Sequence, residues 1–310
     1  MYRRFFLSIV LAIATAIPGF AIDASLLPLL PPDAKAVVGM DFSRVMTSPF
    51  GQFVLRQMNL NSQEIDRMGA MVGFDPRRDL HEAILALMDP QSRDALVLLR
   101  GVFDVERIYG FANLQGANTT TYKGVRIMGA PGRPRAGRPS SVAFLSPNLM
   151  ALGMESSVKS VIDRQSGGAN PDESLVARIQ AAGSRYDMWF LTNGSVSSLA
   201  GLSGNPNVSG AMGGNVLQAL ESLLAGFKFG DTVEISAEAM ARTEKDATAL
   251  VDVIRFFGQM AQSNASASAS ALFEALKLTT DGRVVRASIS VPNQEFEKII
   301  SSGPGPSRRL

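Results

Sequence analysis

The chain has no cysteine, and its 310 residues include one histidine, His81, and one tryptophan, Trp189. Without cysteine there is no disulfide staple, no thiolate nucleophile or ligand, and no acylated cysteine to anchor a mature N-terminus, so stability must come from packing. A single histidine excludes the paired-histidine zinc arrangement, since Asp79-Leu80-His81-Glu82 has no second histidine one helical turn on. GxSxG elbows, GxxxxGK[ST] loops and strand-linked GxGxxG turns are missing too, which removes the usual serine-hydrolase and phosphate-binding signatures. A dominant charge is also absent. The 30 Lys and Arg face 28 Asp and Glu, and Arg3 and Arg4 account for the difference, so the sequence pI of about 9.0 gives no argument for a nucleic-acid partner. Beyond the first 21 residues no apolar run approaches the length of a membrane span, and no retained span is expected.

The first 21 residues carry the most information. Arg3 and Arg4 precede an apolar run from Phe5 to Ile17 and then Pro18-Gly19-Phe20-Ala21, the composition of a secretory signal peptide. The run is roughly 20 Å long as helix, short of a ~30 Å hydrocarbon layer, so cleavage is expected rather than anchoring. Gly19 and Ala21 are the small residues a signal peptidase requires, which makes Ile22 the expected first residue of a mature chain in the periplasm or outside the cell. Arg3-Arg4-Phe5-Phe6-Leu7 also fits the twin-arginine pattern, but the short, strongly apolar leader favours ordinary unfolded export.

Residues 22–31 read as an extended, apolar lead-in broken by Pro28 and Pro31. Ala36 to Phe42 reads as a strand. Ser43 or Ser48 caps a helix opened by Pro49, Asn61 to Val72 gives another, and Asp75-Pro76 starts a third that runs to about Met88. Next come a strand at Ala95 to Gly101, a helix capped by Asp104, a strand at Thr120 to Met128, a hairpin at Val142–Leu145 and Met150–Gly153, and a helix from Ser156 to Arg164. A similar rhythm returns: a strand at Tyr186 to Leu191, a helix at Val216 to Phe227, a strand at Thr232 to Ala239, a helix at Lys245 to Ala261, a hairpin turned by Thr280-Asp281-Gly282, and a last helix capped by Asn293. Corresponding elements are offset by roughly 135 to 150 residues. The expected fold is therefore α+β: two tandem halves, 32–167 and 168–302, each an antiparallel-rich sheet with helices packed on one face, and a disordered tail at 303–310. Either a diverged duplication or chance recurrence of a common rhythm accounts for the repeat.

Three segments stand outside the rhythm. Ala130 to Ser141 holds three prolines with Arg133, Arg135 and Arg138, a basic loop that either contacts an anionic partner or is a solvated connection. Gly201 to Gly214 is glycine-rich and reads as a lid or interaction loop, and Ser263 to Ser270 as an Ala/Ser linker.

Candidate chemistry is sparse. His81 reads as a helix-surface histidine, and it would need a serine brought to it in space to act as a base. Ser156 and Lys159 match SxxK, where a lysine one turn on can activate a hydroxyl, although composition alone yields a match of this kind and the companion SDN and KTG patterns are missing. The acid pairs Asp172-Glu173 and Asp75 with Asp79 lie at helix starts, where the dipole explains them. Trp189 reads as packing on a sheet face.

Several phrases carry a resemblance: Leu30-Pro31-Pro32-Asp33-Ala34, Ser48-Pro49-Phe50-Gly51, Gly73-Phe74-Asp75-Pro76, Arg100-Gly101-Val102-Phe103-Asp104 and Tyr122-Lys123-Gly124-Val125. In these, mostly turns and caps of the first half, the chain resembles a loose group of uncharacterised exported proteins of environmental Gram-negative bacteria. The resemblance implies an exported α+β protein and supplies no catalytic residue. The expected function is a non-enzymatic binding or interaction module with no cofactor, engaging a protein or small-molecule partner. Two alternatives are a hydrolase using carboxylates or the Ser156–Lys159 pair, and a carrier of an apolar small molecule.

Overall fold

A computed structural model describes residues 22–57, 63–89, 94–129, 141–168, 171–194, 219–264 and 274–302. The leader 1–21, the arginine loop with Arg133, Arg135 and Arg138, the glycine-rich segment 201–214, most of the Ala/Ser segment and the tail 303–310 lie outside the described residues.

Twelve strands form one continuous antiparallel sheet. They are β1 Ala36–Asp41, β2 Leu80–Asp89, β3 Asp94–Gly101, β4 Thr119–Tyr122, β5 Val125–Gly129, β6 Ser141–Ser146, β7 Leu149–Gly153, β8 Met188–Thr192, β9 Leu220–Phe229, β10 Thr232–Ala241, β11 Lys277–Asp281 and β12 Val284–Pro292. Their order across the sheet is β11-β12-β10-β9-β8-β1-β2-β3-β7-β6-β5-β4. The centre is the β1–β8 pair, with Val38 opposite Phe190 and Gly39 opposite Trp189. Outward from it the order is mirrored: β1-β2-β3-β7-β6 on one side, β8-β9-β10-β12-β11 on the other, with β5 and β4 added to the first.

The helices divide between the two faces. The face bearing Val37, Ile84, Ala86, Leu96, Leu98, Trp189 and Leu191 is covered by α6 (Glu155–Gln165), α7 (Glu173–Arg185) and the lead-in, whose Leu26 and Leu30 are fully buried. The lead-in contains a 3-10 turn at Leu27–Leu29 rather than being extended throughout. On the other face α1 (Phe42–Thr47) and α2 (Pro49–Gln57) pack with α9 (Asn293–Ser302) around Phe50, which stacks on Phe229 at 4.6 Å. On that same face α5 (Val105–Leu114) packs Tyr109 against Phe144, and α8 (Glu244–Asn264) sets Ala247, Leu250 and Val251 against Ala239 and Val285. α3 (Gln63–Val72) lies beside α5, with Arg107 donating to the Ala70 and Met71 carbonyls.

Several helix starts follow the expected caps, but the expected Asn293 cap does not form: Asn293 is the first residue of α9 and its buried Oδ1 accepts no hydrogen bond. The Asp104 and Asp172 carboxylates accept from the first-turn N–H groups of α5 and α7, and Ser48 Oγ accepts from Gly51 at the start of α2. Three further expectations are corrected. The helix opened by Pro76 ends after one turn, α4 (Pro76–Asp79), and the chain enters β2 at Leu80, so His81 lies on a strand and not on a helix surface. The helix expected at Val216 to Phe227 is instead strand β9 from Leu220 onward. Thr120 to Met128 is a hairpin rather than one strand: Lys123 and Gly124 both have positive φ (48° and 81°), the geometry of a tight two-residue turn between β4 and β5. Among the described residues no helix is long and apolar enough to cross a membrane.

Candidate functional site

A cavity of about 220 Å³ opens where β1, β2 and β3 end, roofed by the start of the lead-in and by α7. Asp41 closes β1 and pairs across the ladder with Glu82 of β2, which in turn pairs with Arg100 of β3. Between Leu80–Gly101 and Glu82–Arg100 the β2–β3 register shifts, leaving His81 as the extra residue of a bulge, a device that re-aims a side chain at a strand end. His81, Glu82, Arg100 and Asp41 all line the cavity, with Ile22 and Tyr186 on the opposite wall.

Two triads of charge meet there, each with two carboxylates and one guanidinium. In the first, Arg100 Nε lies 3.3 Å from Glu82 Oε2 and 3.4 Å from Asp23, while the Asp23 backbone N–H donates to Glu82 Oε2 at 3.3 Å. In the second, Arg44 Nε donates to Asp41 at 2.9 Å and Arg44 Nη1 to Asp187 at 3.2 Å; Asp187 also accepts from the Phe229 N–H at 2.8 Å. Glu82 is only 7 % exposed, and burial pushes its carboxyl above the ordinary range even though Arg100 and the Asp23 N–H pull the other way. Asp23, nearer solvent, is held low by its hydrogen bonds with Ser25 and by Arg100.

The residues expected to carry chemistry fall at different places. His81 has no hydrogen-bonded carboxylate or hydroxyl among the described residues, so no triad forms around it. Ser156 lines a second cavity of about 180 Å³ with Asp33, Ser160 and Arg164, and the neighbouring Ser157 donates to Asp94 at 2.9 Å. Lys159 turns away to Glu155 at 2.7 Å and lies over the Tyr122 ring. The Glu155 carboxylate stabilises the Lys159 ammonium and raises its pKa, whereas activation of a serine requires the neutral amine. Asp75 and Asp79 are bound to Arg77 and Arg78, and Asp172 caps α7. No group of three metal-binding side chains is assembled among the described residues.

Sequence reasoning missed Glu82, Arg100, Asp41, Arg44 and Asp187. The available signal was parity: once Leu80 to Asp89 is read as a strand, Glu82 shares a face with Ile84 and Ala86 and must be a buried acid needing partners.

No protein-family model matches the chain, and no curated protein matches it. A solved structure, "Structure of crystal form I of TP0453", is similar in fold, with a TM-score of 0.52 over 91 % of this chain and 98 % of that one at 9 % identity. At that identity the likeness shows the α+β fold, a large antiparallel sheet flanked by helices, and nothing of the site.

Proposed function

We propose that the chain is an exported, non-enzymatic binding or interaction protein, cut after Ala21 and working in the periplasm or outside the cell without a cofactor. The supporting observation is the separation of its reactive groups. His81 and Ser156 line different cavities, and Lys159 is bound to Glu155 rather than to a serine. Catalysis needs such groups to converge beside a stabiliser for developing charge. The mirrored strand order supports reading the halves as a diverged duplication. An anionic partner at Arg133, Arg135 and Arg138 belongs to this reading.

The test is complementation of a deletion strain with His81→Ala, Ser156→Ala and Lys159→Ala, alongside intact mass of the exported product. All three variants should restore the role of the wild type, and the product should begin at Ile22. Loss of the role in a variant that still folds would overturn the non-enzymatic reading, and a product retaining Arg3 would overturn the export reading.

One observation favours a second reading. Asp41 and Glu82 are cross-strand neighbours lining one cavity, and Glu82 is pushed up, as a general acid requires. If the chain is a carboxylate hydrolase, Asp41→Asn and Glu82→Gln would each abolish activity against a panel of glycosides and esters that the wild type turns over.

A further inference from the structure

Ile22 is the expected first residue after cleavage, and it already sits as a fixed part of the cavity at the strand ends. The residue is 7 % exposed, its side chain packed into the gap left by Gly183 of α7, where any Cβ would collide with it. The next residue, Asp23, gives its backbone N–H to Glu82. Consecutive backbone nitrogens are about 3 to 4 Å apart, so the Ile22 nitrogen lies no more than about 7 Å from the buried Glu82 carboxylate, within reach of a small shift of the chain end.

The charge balance of that cavity is incomplete. Asp41, Glu82, Arg100 and His81 line it; Asp23 shares Arg100 with Glu82, and Asp187 shares Arg44 with Asp41, so in and beside the cavity four carboxylates stand against two guanidiniums. An uncompensated buried carboxylate is costly, and a cation placed beside it is the economical remedy. While Ile22 is joined to Ala21 its nitrogen is a neutral amide. Hydrolysis of that bond consumes one water: hydroxide goes to the Ala21 carbonyl carbon, which leaves as a carboxylate, and the Ile22 nitrogen departs with the remaining protons as an ammonium.

We propose that this new Ile22 ammonium is bound by Glu82 within the cavity, so that removal of the leader completes the charge balance of the strand-end site and locks the lead-in onto the sheet. The inference rests on the export reading for the identity of the cut. Its chemistry is tested separately.

A chain starting at Ile22 is released from a removable N-terminal fusion and compared with the same chain carrying one added alanine before Ile22. Two quantities are measured on each: the rate at which an acylating reagent modifies the α-amine, and the melting temperature. The Ile22 amine should react about tenfold more slowly than the added alanine's amine, and the Ile22 chain should melt several degrees higher. Glu82→Gln should abolish both differences, lowering the melting temperature of the Ile22 chain more than that of the extended one, which loses only the contacts with Arg100 and the Asp23 N–H. Equal amine reactivity and equal melting temperatures in the two wild-type chains would overturn the proposal, and so would protection of the amine that persists in Glu82→Gln. Where Glu82→Gln fails to fold, the wild-type comparison decides alone. Intact mass of the exported protein reads the cut itself: a different N-terminus there defeats the export reading while leaving the ammonium result standing.

Discussion

Gly39 of β1 lies directly opposite Trp189 of β8, and a Cβ at position 39 would come within 2.1 to 2.6 Å of the indole atoms, a collision. The tryptophan is 2 % exposed and roofs the central strand pair, so glycine here is a requirement of close approach. Gly39→Ala should cost about 1 to 3 kcal/mol in urea unfolding, the usual cost of overpacking. A Gly39→Ala, Trp189→Leu double variant should show coupling, with the double loss smaller than the two single losses together; strict additivity would contradict the contact.

Asp187 joins β8, β9 and α1. It is 4 % exposed, accepts from the Phe229 N–H and pairs with Arg44. Asp187→Ala removes one of the two carboxylates that hold Arg44, which keeps Asp41, and takes the acceptor from the Phe229 N–H, and should cost about 1 to 3 kcal/mol by denaturant titration. A loss under 1 kcal/mol would show that solvent replaces the pair.

The acid limb of the stability profile follows from carboxylates held low in the fold. Arg77 depresses Asp75, Arg78 depresses Asp79, and the Ser174 bonds depress Asp172. Groups whose folded pKa lies below the unfolded value contribute stability above the ordinary carboxylate range and lose it as pH falls through the folded value. Glu82 has the opposite sign, its contribution being full at low pH and lost as pH rises through its raised value. Melting temperature should therefore fall steeply below about pH 4, because Asp23, Glu106 and Asp163 are depressed as well and these six acids outweigh the raised Glu82. A flat profile down to pH 2 would refute the assignment.

Lys159→Ala should change the melting temperature by no more than a degree or two, because its partner Glu155 is an exposed i,i+4 neighbour. A larger drop would reveal a role that neither the Tyr122 ring nor Glu155 accounts for.

Replacing residues 130–140 with a short Gly-Ser turn should also leave the melting temperature nearly unchanged. The flanking strands are already in register, Ile127 with Ala143 and Gly129 with Ser141, so a shorter closure adds little entropy cost. If Arg133, Arg135 and Arg138 hold an anionic partner, the same change should abolish salt-sensitive binding while stability persists.

Local chemistry determined a good part of this fold from sequence. Asp104 and Asp172 stop the preceding chain and start α5 and α7, and the turns at Pro147-Asn148 and Gly282-Arg283 fix the hairpins β6–β7 and β11–β12, because caps and turns depend on neighbours within a few residues. What the sequence left open lies at the centre. Leu80-His-Glu-Ala-Ile-Leu-Ala-Leu-Met-Asp and Leu220-Glu-Ser-Leu-Leu-Ala are rich in good helix formers, yet they form β2 and β9, each beside one strand of the central β1–β8 pair. Strands there have apolar neighbours on both faces, so they lose the polar alternation that announces a strand, and tertiary pairing overrides their helical propensity. The site went with them: only when β2 is placed between β1 and β3 does Glu82 meet Arg100, Asp41 and the backbone of Asp23, residues remote in sequence that no local pattern could have joined.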